Sequence, residues 1–272
     1  MKIAIIGAGI SGLMAAYQLR RQHDITVFEA NDYIGGHTST VDIETTEGPL
    51  AVDTGFIVFN DRTYPNFNNL LDELNVRSQP TTMSFSVRCD RSSLEYRGAD
   101  LNGLFAQRRN IFNPRFLRLL YDLVNFDKSA RWLLDNPDDS ITVEQFFAKQ
   151  RVSRSFIEHY FIPMGSAVWS CPADKLLAFP MRFILQFYRN HGLLGLRDRP
   201  QWRVIRGGSR EYVKKLVASF RHRIRLKTPV KAVLRTADEV EVRTANASET
   251  FDHVVFACHS DQALRMLLHV VQ

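Results

Sequence analysis

The chain opens on an unbroken apolar run at residues 3–6, breaks at a glycine-rich stretch, and then takes up a helical rhythm. The first run is short and does not alternate, as a parallel strand covered on both faces requires. Residues 13–21 set Leu13, Ala16, Tyr17 and Leu19 on one packing face. Residues 25–28 form a second apolar strand ending at Glu29, so the pattern predicts a βαβ unit at the start of the chain. Residues 41–52 alternate around Gly48-Pro49, which reads as a hairpin, and residues 53–60 read as a further strand or turn.

From Tyr64 the rhythm changes. Helical spacing covers residues 65–74, 115–134, 143–150, 155–160 and 179–188, with two strands at 84–96 around a polar turn at 90–93. The α/β pattern returns after Arg206-Gly-Gly-Ser209, with a helix at 210–220 and strands at 223–226, 230–235, 240–243 and 252–257. A final helix is predicted at 260–268. The domain reading is therefore discontinuous: residues 1–62 and 201–272 form one domain, and 63–200 form an inserted, mostly helical domain with a small β part. The pattern contains no internal repeat, low-complexity linker or heptad run.

Composition narrows the setting. A hydrophobic fraction of 45% with 24% charged residues is that of a folded globular protein. The formal charge of +6 is compatible with an anionic partner, but the basic residues form no tail or single patch in sequence, so nucleic acid is not expected. Cys89, Cys171 and Cys258 have no metal-ligand or CxxC spacing, which fits a reducing compartment and predicts no metal site. The apolar run after Met1-Lys2 is too short for a signal peptide, and charged residues interrupt every apolar stretch before transmembrane length. A cytoplasmic location is expected, with peripheral membrane contact left open.

Gly7-Ala8-Gly9-Ile10-Ser11-Gly12 follows the first strand and opens the first helix, and Glu29 closes the second strand. In that context GxGxxG is a dinucleotide fingerprint. A bare backbone approaches the pyrophosphate, the helix N-terminus offers free N–H groups, and Glu29 is placed to accept from ribose hydroxyls. Its charge would also repel a 2′-phosphate, which disfavours NADP. Shortly after come Gly35 and Gly36, a doublet with no role in an ordinary nicotinamide dehydrogenase.

That doublet, within Ile34-Gly-Gly-His-Thr38, resembles the second FAD-binding signature of flavin amine oxidases. The resemblance extends through Val52-Asp-Thr-Gly-Phe-Ile-Val-Phe-Asn60, Leu101-Asn-Gly-Leu-Phe-Ala-Gln-Arg-Arg109, Trp169-Ser-Cys-Pro172, Asn190-His-Gly-Leu-Leu194, Arg199-Pro-Gln-Trp-Arg203 and Ala257-Cys-His-Ser-Asp-Gln262. The chain thus resembles the flavin-containing amine oxidase superfamily, in particular bacterial amine-oxidase-like oxidoreductases. The resemblance implies an α/β fold, with a Rossmann-like FAD/NAD(P)-binding domain of parallel sheet plus β-meander and an inserted substrate domain. It implies FAD as cofactor, held at Gly7, Ala8, Gly9, Ile10, Ser11, Gly12, Glu29, Ala30, Gly35, Gly36, His37 and Thr38. Gly55 and Phe56 are expected beside the isoalloxazine, Val230 at the adenine, and Ala257 at the adenosine side. His37 stands where amine oxidases usually carry arginine.

The activity implied is oxidation of a C–N or C–C bond by hydride transfer to flavin N5. The substrate is a small molecule, and the phenylalanine-rich middle region leans towards an apolar or lipid-linked one. A desaturase acting on an acyl or polyene lipid is the first alternative. Relatives carry a third flavin-binding segment after the point matching Ala257, and no such segment follows here. A truncated or non-catalytic dinucleotide-binding protein is therefore the second alternative. No catalytic residue is assigned. Cys171 and most of the aromatic residues read as core, and His191 with Gly192 is a candidate substrate contact.

Overall fold

Strand β1 (Lys2–Ile6) sits inside a four-stranded sheet of a computed structural model that describes residues 1–136, 138–194, 200–236 and 238–268. The polypeptide turns through α1 (Ile10–Leu19) into β2 (Asp24–Phe28), which pairs parallel with β1. On its other side β1 pairs parallel with His253–Phe256, and Ile224–Arg225 extends the sheet beyond β2. Ile3, Ala4, Ile5 and Ile6 are all buried, as an apolar run without alternation requires. Three antiparallel strands, Ala232–Arg235, Val240–Arg243 and Ser248–Phe251, make the meander, and Leu267–Leu268 joins its first strand in parallel. This is a Rossmann-like α/β fold.

Two compact units divide the chain: residues 1–81 with 202–272, and residues 82–201. The boundary falls later than the change of rhythm at Tyr64 suggests. Helix Pro65–Glu73 buries Leu70 and Leu71 in the same core as Ile5, Leu13, Phe59 and Leu216, so it belongs to the first unit. Strand Ser78–Pro80 follows it there, because it pairs with Trp202–Ile205, which in turn pairs with Phe59–Asn60. These short strands carry no apolar alternation that would reveal them. The hairpin is present as β3 (Thr40–Thr45) and β4 (Gly48–Asp53), in register from Thr40 opposite Asp53 to Thr45 opposite Gly48.

The second unit is helical, with one hairpin, Ser86–Cys89 and Leu94–Arg97. Its long helix Pro114–Asp135 is capped by Asn113, whose side chain accepts from the N–H groups of Arg115 and Phe116. The helix predicted at 155–160 is part of a longer stretch that runs through a π-helical turn, Ile157–Phe161, into Ile162–Trp169. Pro163 marks a break in the sequence pattern, and the π-helical turn just before it accommodates its missing N–H within the continuous stretch. Arg199 and residues 269–272 lie outside the described residues. Among the described residues, no helix is long and apolar enough to cross a membrane, and no group of three acidic, His or Cys side chains is placed to hold a metal.

Phe126, Phe146, Phe147, Phe156 and Phe161 of this unit pack on one another. Phe147 lies edge-on to Phe161 at 4.7 Å and within 6.1 Å of Phe126, Phe146 and Phe156. All five are buried, so these rings are core. Replacing Phe147 with alanine is expected to lower unfolding stability by about 3–5 kcal/mol. Urea denaturation followed by circular dichroism reads this directly, and a loss below about 1 kcal/mol would show that the cluster is not a tightly packed core.

Candidate functional site: a glycine-walled cleft

At the C-terminal edge of β1 the chain enters the loop 7–12 and then α1, whose N-cap is Gly9. No side chain caps that helix end, so its first-turn N–H groups are left to face the space above the sheet. Gly12 allows the helix to come down onto the loop: a Cβ there would sit 1.9 Å from the Gly7 carbonyl oxygen and 3.1 Å from Cβ of Ala257. A second glycine stretch closes on the first. The Gly35 N–H donates to the Ala8 carbonyl at 2.9 Å, and Gly36, at φ +60°, would place a Cβ 2.8 Å from Cα of Gly9. Two segments distant from each other by more than twenty residues thus meet backbone to backbone, and side chains are excluded from the seam.

Glu29 fastens this corner. It is only 6% exposed, and its two oxygens accept from the Ala8 and Asn31 N–H groups at 2.8 Å each. Each oxygen keeps a further lone pair for another donor. The carboxylate therefore has a structural duty that the sequence pattern does not disclose, alongside the expected one. A further clamp lies behind the wall, where Asp53 accepts from the Ser209 N–H, the Ser209 hydroxyl and the Thr40 hydroxyl, at 2.8, 2.7 and 2.6 Å. It ties the end of β4 to the start of helix Arg210–Val217. The Thr38 hydroxyl meets the buried Tyr212 hydroxyl, and burial pushes the Tyr212 phenol above its usual pKa.

These elements enclose a cleft of about 1260 Å³. Of the positions singled out in sequence, Gly7, Gly9, Ile10, Ser11, Glu29, Ala30, Gly35, Gly36, His37, Thr38, Phe56, Val230 and Ala257 line it together. Three do not. Ala8 is fully buried in the core, Gly12 is spent on helix packing, and Gly55 presses on the His37 carbonyl, where a Cβ would lie at 1.7 Å. These three support the wall from behind. His191 is in the second unit, its ring stacked on Phe187 at 3.9 Å.

The lining also includes residues to which sequence reasoning assigned no role. Tyr64, Phe67 and Tyr212 form an aromatic side together with Phe56; Phe67 is edge-on to Phe56 at 5.1 Å and to Tyr212 at 5.3 Å. Cys258, His259, Gln262 and Arg265 come from the segment after His253–Phe256. Burial raises the Cys258 thiol, and the nearby Asp261 charge adds to the effect. The rings of His37 and His259 face each other at 6.0 Å. The only signal for this group was the Ala257–Gln262 motif, which gives no hint of which side chains point inward.

The model of the family described as flavin containing amine oxidoreductase matches residues 10–269. The chain is 25% identical to zeta-carotene desaturase of Synechocystis sp. over 95% of its length, covering 57% of that relative. It is also 25% identical to a probable flavin-containing monoamine oxidase A of Dictyostelium discoideum, over 90% of this chain and 54% of the other. Among solved structures, putrescine oxidase bound to putrescine shares the fold with a TM-score of 0.70 at 19% identity, covering 98% of this chain and 60% of that one. Cyclohexylamine oxidase from Brevibacterium oxydans gives 0.69 at 22%, covering 94% and 57%. The chain therefore spans somewhat more than half the length of these proteins. With the family model running through both compact units, the chain belongs to the flavin-containing amine oxidoreductase family.

Proposed function

We propose that the cleft binds FAD and that the protein acts as an FAD-dependent oxidoreductase of the amine oxidase type. The observation that carries this reading is the seam between Gly9 and Gly36, a wall of bare backbone that a single Cβ would fill. The residues present fit the cofactor. Gly7, Gly9, Ser11 and Gly36 border the space in which a pyrophosphate would face the open N-terminus of α1. Glu29 has lone pairs left for ribose hydroxyls, and its charge disfavours a 2′-phosphate. Val230 and Ala257 border the adenosine side, while Phe56 with Tyr64 offers an aromatic flank for the flavin ring. The volume exceeds the ~300–1,000 Å³ of ordinary small-molecule sites, as an extended dinucleotide needs.

When bound, flavin supplies a two-electron acceptor for a hydride from a C–N or C–C bond. The protein's own share is orientation and the exclusion of water. The clamp at Asp53 and the Thr38–Tyr212 contact hold the cleft's far wall, and the aromatic side keeps that end apolar. A second reading, desaturation of an acyl or polyene chain, is supported by the likeness to a carotene desaturase, which takes in 95% of this chain and 57% of that relative. Anaerobic mixing with simple amines and with polyene or phospholipid substrates separates the two, because only the true substrate class bleaches the flavin absorbance.

Protein purified without added cofactor is expected to be yellow and to release FAD on heating, identified by mass spectrometry. A colourless protein that releases NAD instead would overturn the proposal. Gly36→Val puts a branched side chain at positive φ and fills the seam, at a strain of about 1–3 kcal/mol. Flavin-fluorescence titration is expected to find FAD binding weakened at least about tenfold. Unchanged affinity in a variant with a normal thermal melt would place the pyrophosphate elsewhere.

A further inference from the structure

One surface of the second unit combines an apolar tip with a one-sided charge. Between Asp100 and Asp122 the sequence contains four arginines, Arg108, Arg109, Arg115 and Arg118, and no acidic residue. The 3-10 turn Arg108–Phe112 leads into helix Pro114–Asp135, and at their junction Phe112 is 86% exposed beside the exposed Ile111. Such exposure is ordinary for a loose loop, but this turn is tied down. Buried Asn110 donates to the Gln107 side chain at 3.1 Å, Gln107 donates to the Ser93 carbonyl at 3.0 Å, and Arg109 donates to the same carbonyl at 3.1 Å. The Asn113 cap and Pro114 fix the next residues, while Phe116 turns inward against Tyr96 and Phe105. The fold therefore holds Phe112 outward.

The helix continues the feature. Leu117, Tyr121, Val124 and Trp132 recur at spacings that fall on one face, and all are exposed, with Tyr121 at 61% and Trp132 at 60%. Arg118 and Arg131 lie at the edges of that stripe, Lys128 lies within it and Arg115 stands in the first turn before it; all four are exposed, and Arg118 and Arg131 pair with Asp122 and Asp127. Beside Tyr121 a pocket of about 190 Å³ opens between Arg118, Arg151, Asn125 and Gln150. An apolar stripe with aromatic members, bordered by cations, is the pattern of a helix that lies in the plane of a lipid interface. From Arg108 to Arg118 the surface carries four cations and no acidic residue, the charge that an anionic lipid surface complements.

We propose that residues 108–124 form a docking surface for an anionic lipid bilayer. Phe112 and Ile111 enter the acyl boundary, Tyr121 sits at headgroup level, and the arginines contact lipid phosphates. The surface lies wholly within the second unit and is independent of the flavin assignment.

The test is sedimentation of the full chain with vesicles of phosphatidylcholine alone and of phosphatidylcholine mixed with phosphatidylglycerol. Binding is expected only to the mixed vesicles, and to fall as salt is raised. Phe112→Ser is expected to weaken it about tenfold or more, and Arg108→Gln combined with Arg115→Gln about 30-fold. Thermal melts check that the variants remain folded; if either does not, Ile111→Ser and Arg115→Gln alone take their places. No binding to either vesicle, equal binding to both, or binding unaffected in the folded variants would overturn the proposal. So would loss of self-association, rather than of vesicle binding, in Phe112→Ser, which would make the surface a contact between copies of the chain.

Discussion

The first unit is organised around one steric demand: where its loops meet, backbone must touch backbone. Gly12 meets the Gly7 carbonyl, Gly36 meets Gly9, and Gly55 meets the His37 carbonyl, each at a distance where a Cβ would collide. Because side chains are absent from these seams, polar backbone lines a concave wall that apolar side chains would otherwise fill. Glu29 makes the arrangement rigid by holding the Ala8 and Asn31 amides from a buried position. A polar wall of this kind would be expensive to leave dry, so its presence beside an uncapped helix end is itself an argument for an anionic occupant.

The second unit follows a different logic. Its stability comes from aromatic rings in edge-to-face contact, and its helices are placed by caps and by a proline that the π-helical turn accommodates. Buried aromatic area of this density supplies a large transfer term without any demand on backbone geometry. That contrast fits where positive-φ glycine falls among the described residues: Gly7, Gly35, Gly36, Gly48, Gly207 and Gly208 lie in the first unit, and Gly192 in the second.

Much of the first unit was legible because its signals are local. The run 3–6, the fingerprint and Glu29 specify a strand, turn, helix and strand in one short window, and the hairpin announces itself by alternation around Gly48-Pro49. Partners brought in from afar were not legible. His259, Gln262 and Arg265 reach the cleft because His253–Phe256 pairs beside β1, a contact between opposite ends of the chain that no local pattern encodes. Helix Pro65–Glu73 looked like the start of the helical region, since spacing reveals a helix but not the core into which Leu70 and Leu71 are buried. The strand Trp202–Ile205 failed for a further reason: it mixes tryptophan and arginine, is incompletely buried, and exists only through its two partners.

Glu29 shows why a site residue recognised from sequence still needs its geometry. Its expected role is towards a ribose, yet its carboxylate already holds the loop that carries Gly7 and Gly9. Removing the charge would loosen the loop and delete a hydrogen-bond acceptor together, because the Asn31 amide would lose its partner and the buried Ala8 amide would be left unsatisfied at a cost of about 1–3 kcal/mol. A lost affinity on substituting Glu29 therefore cannot distinguish direct contact from collapse of the wall. Gly36 separates the two effects more cleanly. It makes no side-chain hydrogen bond, and its substitution acts on the space itself while leaving the Glu29 clamp in place. In a site built from bare backbone, the informative position is the one with no side chain to lose.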